Sequence, residues 1–163
     1  MRILAVLIGL LSCHASAATL LLTTPSEVLI QEVQSSWLQC EEQVWCEDSL
    51  TYYRHNYYGQ AERINGQMVL KLFAEYSSHQ LSELQLNLRS DGFSLIHVDI
   101  AGEHFNVAQQ LSNNSESRVD KALIEFINQF SPSQVRVMVW QNSFWDAKLL
   151  SDGEIITLSY SPR

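Results

Sequence analysis

The chain has 163 residues, with 18 acidic against 10 basic side chains, and a formal net charge of −8 at neutral pH. An acidic chain is repelled by the phosphates of nucleic acids and by anionic membrane surfaces, so neither is an expected partner. The apolar content of 46% is typical of a globular protein and does not indicate disorder.

The first 17 residues have the pattern of a secretory signal peptide. Arg2 supplies a positive start, residues 3–11 are apolar, and small residues end the segment at Ala15 to Ala17. The apolar run is too short for a permanent anchor, and no second apolar span follows. We therefore expect cleavage after Ala17, a single globular domain over residues 18–163 with no transmembrane segment, and a location in the bacterial periplasm.

The leader also permits an alternative. Residues 10–13 resemble a loose lipobox, in which Cys13 would become the lipidated first residue of the mature chain. A lipid chain would make the protein an outer-membrane lipoprotein rather than a soluble one.

Two further cysteines, Cys40 and Cys46, remain after removal of the leader. In an oxidising compartment such a pair is expected to form a disulfide bond. Their spacing differs from the Cys-x2-Cys of redox enzymes, and there are too few cysteines for a structural zinc site.

The clearest strand pattern surrounds Asn65 and Gly66, a strong signal for a two-residue hairpin turn. The turn joins residues 60–64 to residues 67–76, where Met68, Leu70 and Leu72 lie on one face and Val69, Lys71 and Phe73 on the other. The period of two predicts a strand with one buried face.

Two more hairpins are predicted from turn residues. Alternation in residues 83–89 and 93–100 favours two strands joined by a three-residue loop, with Leu86 opposite Ile96. Near the C-terminus, a two-residue turn at Asp152 and Gly153 would place Leu149 opposite Ile156.

One amphipathic helix is predicted over residues about 117–130, with Ser117 as its N-cap and apolar side chains at helical spacing. Residues 26–33 are compatible with either a strand or a short helix. The expected fold is therefore α+β, a mainly antiparallel meander with one helix packed on one face.

The densest group of metal-ligating side chains is His97, Asp99, Glu103 and His104. Two imidazoles and a carboxylate suit zinc or copper. In an extended chain, however, Glu103 and His104 point in opposite directions, so we expect neither a metal nor another cofactor.

Aromatic side chains are concentrated in two segments, and Tyr, Trp and Arg are the residues that most often anchor interfaces. The candidate contact surface comprises Tyr52, Tyr53, Arg54, Tyr57, Tyr58, Trp140 and Phe144.

No nucleophile elbow, phosphate-binding loop or metalloprotease motif is present in the sequence, and no catalytic residue is singled out. The sequence favours an exported, non-enzymatic envelope protein that binds or assists another protein or a glycan of the envelope. The alternatives are a small metal-dependent enzyme that uses the segment from His97 to His104, and a lipid-anchored accessory protein.

Overall fold

The computed structural model describes residues 18–19 and 25–163. The predicted leader and Cys13 lie outside the described residues. In chain order the elements are β1 (Ala18–Thr19), α1 (Ser26–Ser36), β2 (Leu38–Glu41), β3 (Val44–Tyr52), β4 (His55–Ile64), β5 (Gln67–Glu75), α2 (Ser78–Ser90), β6 (Ser94–Ile100), β7 (Glu103–Asn106), α3 (Val107–Leu111), α4 (Glu116–Ile127), β8 (Arg136–Gln141), β9 (Trp145–Ser151) and β10 (Ile155–Pro162).

The strands form one sheet in the order β1-β3-β4-β5-β10-β9-β8-β6-β7, and β2 pairs with β3. Among the pairs that the structure describes, all are antiparallel except β1 with β3. The prediction of a mainly antiparallel sheet agrees with this topology. The prediction of a single helix is wrong, because the described residues include four.

One face of the sheet and the helices share a single hydrophobic core. Leu29 of α1, Leu84 of α2 and Leu123 of α4 belong to the same buried cluster as the inward side chains of the strands. Removal of this apolar surface from water is the main force that holds the helices on the sheet. The side chains that alternate with the buried ones, including His97 and Asp99, lie on the opposite face of the sheet.

The contact between α1 and the sheet depends on a glycine. Trp37 follows the last residue of α1 and is buried. A Cβ atom added to Gly59 of β4 would lie 2.8 Å from Cη2 of Trp37. The indole ring therefore packs directly on the backbone of β4, at a distance that only glycine permits.

The hairpin at Asn65 and Gly66 is confirmed. Ile64 of β4 pairs with Gln67 of β5, which leaves a two-residue turn whose φ angles are both positive, 50° and 84°. Met68, Leu70 and Leu72 are buried, as the alternation predicts.

The predicted strand over residues 83–89 is wrong, because this segment belongs to α2. The Ser77 side chain accepts a hydrogen bond from the Gln80 amide and caps the helix. Leu84 and Leu88 are buried one turn apart, whereas Leu86, between them, is 60% exposed. Apolar side chains at alternate positions thus stand on different faces of a helix.

The predicted three-residue hairpin loop is also wrong, because Ser90 is the last residue of α2, and Asp91 and Gly92 form its C-terminal cap. Gly92 has a φ of 79°. Its amide donates to the Arg89 carbonyl and the Phe93 amide donates to the Leu88 carbonyl, the two hydrogen bonds of a Schellman motif.

In the β9–β10 hairpin three residues, Asp152 to Glu154, connect the strands instead of the predicted two, and Ile156 pairs with Ser151. The Asp152 carboxylate accepts hydrogen bonds from the Glu154 and Ile155 amides, which stabilises the longer turn. The register differs from the prediction by two residues, so each side chain keeps its expected face and Leu149 lies opposite Leu158.

The predicted helix near residue 117 exists with shifted ends. Helix α4 begins at Glu116 after Ser115 as N-cap, so Ser117 lies inside it, and it ends at Ile127. Phe130 follows the helix, and its ring still packs on Phe126, with ring centroids 5.2 Å apart.

The Cys40–Cys46 disulfide bond is present, with an S–S distance of 2.01 Å, and it joins β2 to β3. None of the helices within the described part of the chain has both the length and the apolar character needed to cross a membrane.

Candidate functional site

The structure divides the predicted contact surface into buried and exposed members. Tyr52, Tyr57 and Trp140 are almost fully buried in the core, so their assignment to an exposed surface is wrong. The reason is that these three residues occupy inward positions of β3, β4 and β8 and pack in the core. Tyr53, Arg54, Tyr58 and Phe144 are exposed.

Tyr53 occupies the first position of a two-residue turn between β3 and β4. Tyr52 pairs with His55, and Arg54 is the second residue of the turn. The φ of Tyr53 is 55°, a conformation that normally favours glycine, asparagine or aspartate. A tyrosine is therefore held here against its backbone preference.

The Tyr53 side chain is fixed by Asp91, the C-cap residue of α2. Its hydroxyl donates to Asp91 Oδ1 at 2.7 Å, and the hydroxyl of Tyr52 donates to Asp91 Oδ2 at the same distance. The rings of Tyr52 and Tyr53 meet edge to face, with centroids 5.0 Å apart. One carboxylate thus joins the turn to the end of α2.

Beside this turn lies a pocket of about 230 Å³, lined by Tyr53, Arg54, His55, Glu83 and Asn87. Within it, His55 Nε2 contacts the Glu83 carboxylate. His79, one turn before Glu83 on α2, approaches the same oxygen at 3.5 Å. The pocket therefore combines an aromatic ring, a guanidinium group and a carboxylate paired with histidine.

Neither Glu83 nor Tyr53 has a pKa suited to proton transfer near neutral pH. The hydrogen bond from His55 is the largest influence on Glu83 and holds the pKa of its carboxyl below the ordinary value. Partial burial and the hydrogen bond to Asp91 raise the pKa of Tyr53 to about 12. Near pH 7 the carboxylate is a poor base and the phenol a poor acid, whereas efficient general catalysts have a pKa near the working pH. No serine, cysteine or lysine lines this pocket.

The second aromatic segment reaches the same end of α2. A smaller pocket of about 130 Å³ is lined by Asp91, Gly92, Asn142, Ser143 and Phe144. Asp91 is therefore shared by the Tyr53 turn and by the pocket of Phe144. We refer to Tyr53, Arg54 and Phe144, with the two pockets beside them, as the Tyr53 surface.

Tyr58 lies apart from the Tyr53 surface. Its ring packs near that of Phe73, with centroids 6.0 Å apart, and its hydroxyl lies 3.0 Å from the Cys46 sulfur. The sequence grouped Tyr58 with Tyr53, but β4 carries it away from the turn.

Three of the four weak metal candidates come together at the edge of the sheet. His97 and Asp99 lie on β6 and His104 on β7, and one ligand atom from each lies within 4.8 Å of the others. Glu103 pairs with Ile100 and is not part of this group. The side chains of Glu103 and His104 thus separate, as predicted, but His104 still reaches the other two.

Glu83, Asn87 and Asp91 were not among the predicted site residues, because residues 83–89 were predicted to form a strand followed by a hairpin loop. In a helix these residues follow one another at intervals of four and share one face. The capping serine at position 77 followed by Leu81, Leu84 and Leu88 was the signal that could have revealed the helix.

Comparison of the chain with protein-family models, with curated proteins and with solved structures gave no match.

Proposed function

We propose that the chain is an exported, non-enzymatic binding protein of the bacterial periplasm, which engages another envelope component through the Tyr53 surface. The signal-peptide pattern of the first 17 residues supports export. The Cys40–Cys46 disulfide is compatible with an oxidising compartment.

The observation that carries this proposal is the conformation of Tyr53. The residue has a φ of 55° and remains 46% exposed, although its hydroxyl is fixed on Asp91. Backbone strain persists only where surrounding contacts impose it, and such residues cluster at functional positions. A ring that is already immobilised loses little conformational entropy when a partner packs on it.

The residues around Tyr53 indicate the chemistry of the partner. Arg54 offers a planar array of N–H donors that suits a carboxylate, and Tyr and Arg are the residue types that dominate interface energies. Asn87 and His55 add hydrogen-bonding groups in the adjoining pocket. The partner is an envelope protein or glycan that presents an acidic or hydroxyl-rich group to this pocket.

Site-specific photocrosslinking in cells of the source organism tests the proposal. A benzoylphenylalanine residue at position 144 should capture one defined partner, and Arg54→Glu should abolish that adduct. The same crosslinker at position 58 is the matched control, because Tyr58 is 41% exposed and lies away from the Tyr53 surface. Equal adducts at both positions, or an adduct at 144 that survives Arg54→Glu, would contradict the proposal.

The mature N-terminus tests export and the lipid-anchor alternative together. Mass spectrometry of the protein purified from its envelope should show a chain that begins at Ala18. A chain that begins at Cys13 with a lipid attached would replace the soluble form by an outer-membrane lipoprotein.

The second candidate function is a metal-dependent enzyme, favoured by the convergence of His97, Asp99 and His104. This function would require turnover of a substrate that depends on the added ion and is lost in His104→Ala. If no such turnover is measured, the proposal of a binding protein stands.

A further inference from the structure

The hairpin of β6 and β7 has a tight turn that fixes its register. Ile100 pairs with Glu103, so only Ala101 and Gly102 lie between the strands. Their φ angles of 53° and 89° are both positive, as in the turns that match the twist of a two-stranded hairpin. Asp99 consequently lies directly opposite His104, and His97 lies two residues before Asp99 on the same face.

Three potential ligand atoms converge on this face. Nε2 of His97 lies 2.8 Å from Oδ1 of Asp99, and Nδ1 of His104 contacts the same oxygen. The two imidazole rings are nearly parallel, at 24°, with centroids 5.8 Å apart. In the part of the chain that the structure describes, this is the only group of three His, Cys, Asp or Glu side chains gathered so closely.

We propose that His97, Asp99 and His104 bind one divalent transition-metal ion, Zn²⁺ or Cu²⁺. Two imidazole nitrogens and one carboxylate are ligands that both ions accept. Zinc lies about 2.0–2.1 Å from such donors, so bound donors are roughly 3–4 Å apart. The ligand atoms already lie within 4.8 Å of one another, close to these separations.

Binding of the ion changes the positions of two protons. Without metal, each imidazole directs a ring nitrogen to Asp99 Oδ1, where an N–H donor is stabilised by the carboxylate. In the metal complex these nitrogens bind through their lone pairs, and each neutral ring keeps its single proton on the other nitrogen, Nδ1 of His97 and Nε2 of His104. The ion thus replaces two hydrogen bonds to one carboxylate.

The surroundings leave the ion accessible. The side chain of His104 is 68% exposed and those of His97 and Asp99 are each 30% exposed. Next to Asp99 lies a hollow of about 360 Å³, whose lining also includes Ala101, Gly102 and Val137. Three protein ligands with an open position leave room for water or a small ligand on the ion. The net negative charge of the chain also favours approach of a cation.

Metal titration of the purified, untagged mature chain tests this proposal. After treatment with a chelator, calorimetry with ZnCl2 or CuCl2 should show one equivalent bound, and MgCl2 should show none. His97→Ala and His104→Ala should each weaken binding by at least about tenfold. Electron paramagnetic resonance of the Cu²⁺ form should show two coordinated nitrogens in the parent chain and fewer in either variant.

Two matched controls separate this site from its neighbours. Glu103→Gln changes the residue beside His104 that lies outside the group, and His79→Ala removes the exposed histidine near Glu83. Neither should alter the affinity for Zn²⁺ or Cu²⁺. Circular dichroism checks the fold of each variant, and His104→Gln, at the most exposed ligand, replaces any alanine variant that does not fold.

The proposal is overturned if no equivalent of Zn²⁺ or Cu²⁺ binds to the parent chain. It is also overturned if binding survives loss of His97 and His104, or if it depends on His79 instead. The outcome is independent of the Tyr53 surface, whose partner is captured in a separate experiment.

Discussion

Two turns of the same sheet resemble each other in their first residue and differ in what holds them. The β3–β4 turn begins with Tyr53 and the β6–β7 turn with Ala101, and each of these residues has a positive φ without being glycine. The Tyr53 turn is tied to α2 through Asp91. The Ala101 turn receives no side-chain anchor of its own, and the Ala101 amide donates to the Val135 carbonyl of the chain leading into β8.

The difference shows two uses of backbone strain. In the first turn the strained residue is itself the candidate binding group, and its anchor selects the direction of the ring. In the second turn the strained residue is small, and its contribution is to set the register that brings Asp99 opposite His104. Substitutions at α2 should therefore affect the first turn much more than the second.

The largest effect is expected from Leu84→Ala in α2. The Leu84 side chain is fully buried, and its truncation should lower the free energy of unfolding by about 2–5 kcal/mol. Leu86→Ala is the control, because Leu86 is exposed and should change this free energy by no more than about 0.5 kcal/mol. Urea unfolding measures both, and equal losses would contradict the helical assignment of α2.

Asp91→Ala removes the anchor of the Tyr53 turn. The buried hydroxyl of Tyr52 would lose its acceptor, and an unsatisfied buried donor lowers stability by about 1–3 kcal/mol. Asp91→Asn keeps one side-chain oxygen as acceptor and should have a smaller effect. Urea unfolding of both variants checks the order, and no loss in Asp91→Ala would show that this carboxylate does not hold the turn.

Replacement of each strained residue by glycine should affect stability differently in the two turns. Ala101→Gly relieves a left-handed conformation and should be neutral or stabilise the chain by up to about 1 kcal/mol. Tyr53→Gly relieves the same strain but loses the Asp91 hydrogen bond and the contact with Tyr52, so we expect net destabilisation. Thermal melts decide the sign, and stabilisation by both variants would mean that the Tyr53 contacts contribute little.

The smallest effect concerns pH. In the folded chain the His55 hydrogen bond holds the pKa of Glu83 below its ordinary value of 4.5. At pH values between the pKa of Glu83 in the folded chain and its pKa in the unfolded chain, the unfolded chain binds more protons. The contribution of Glu83 to stability is therefore complete above the pKa of the unfolded chain, and it is lost as the pH falls through the pKa of the folded chain. Glu83→Gln should therefore reduce the loss of stability on acidification below about pH 5. Urea unfolding at pH 7 and pH 3 measures the loss of stability in the parent chain and in the variant. An equal loss in both would contradict the prediction.

Local turn chemistry made part of the fold predictable. Asn65 and Gly66 can adopt positive φ angles at low energy, so their hairpin follows from two residues and the alternation beside them. The Cys40–Cys46 disulfide bond follows from two cysteines close in sequence. Helix α2 was not predictable from alternation alone, because Leu84 and Leu88 satisfy a helical period as well as a strand period.

The contacts within the candidate sites could not be predicted from the alternation of apolar and polar residues, because they depend on the tertiary structure. The contact of Tyr53 with Asp91 joins residues 38 positions apart, and its existence requires α2 to be a helix. The group of His97, Asp99 and His104 depends only on the register of one hairpin, and its residues were identified in the sequence. The direction of His104 relative to His97 became clear only when Asp99 was found opposite His104.

The packing of Trp37 on Gly59 means that two positions far apart in the sequence should change together during evolution. Any side chain at position 59 would collide with the indole ring, so loss of this glycine is tolerated only if position 37 carries a smaller residue. Related chains should therefore exchange these two positions together, with a tryptophan at the end of α1 always accompanied by a glycine in β4. Such paired change would identify distant relatives of this fold even where the rest of α1 has diverged.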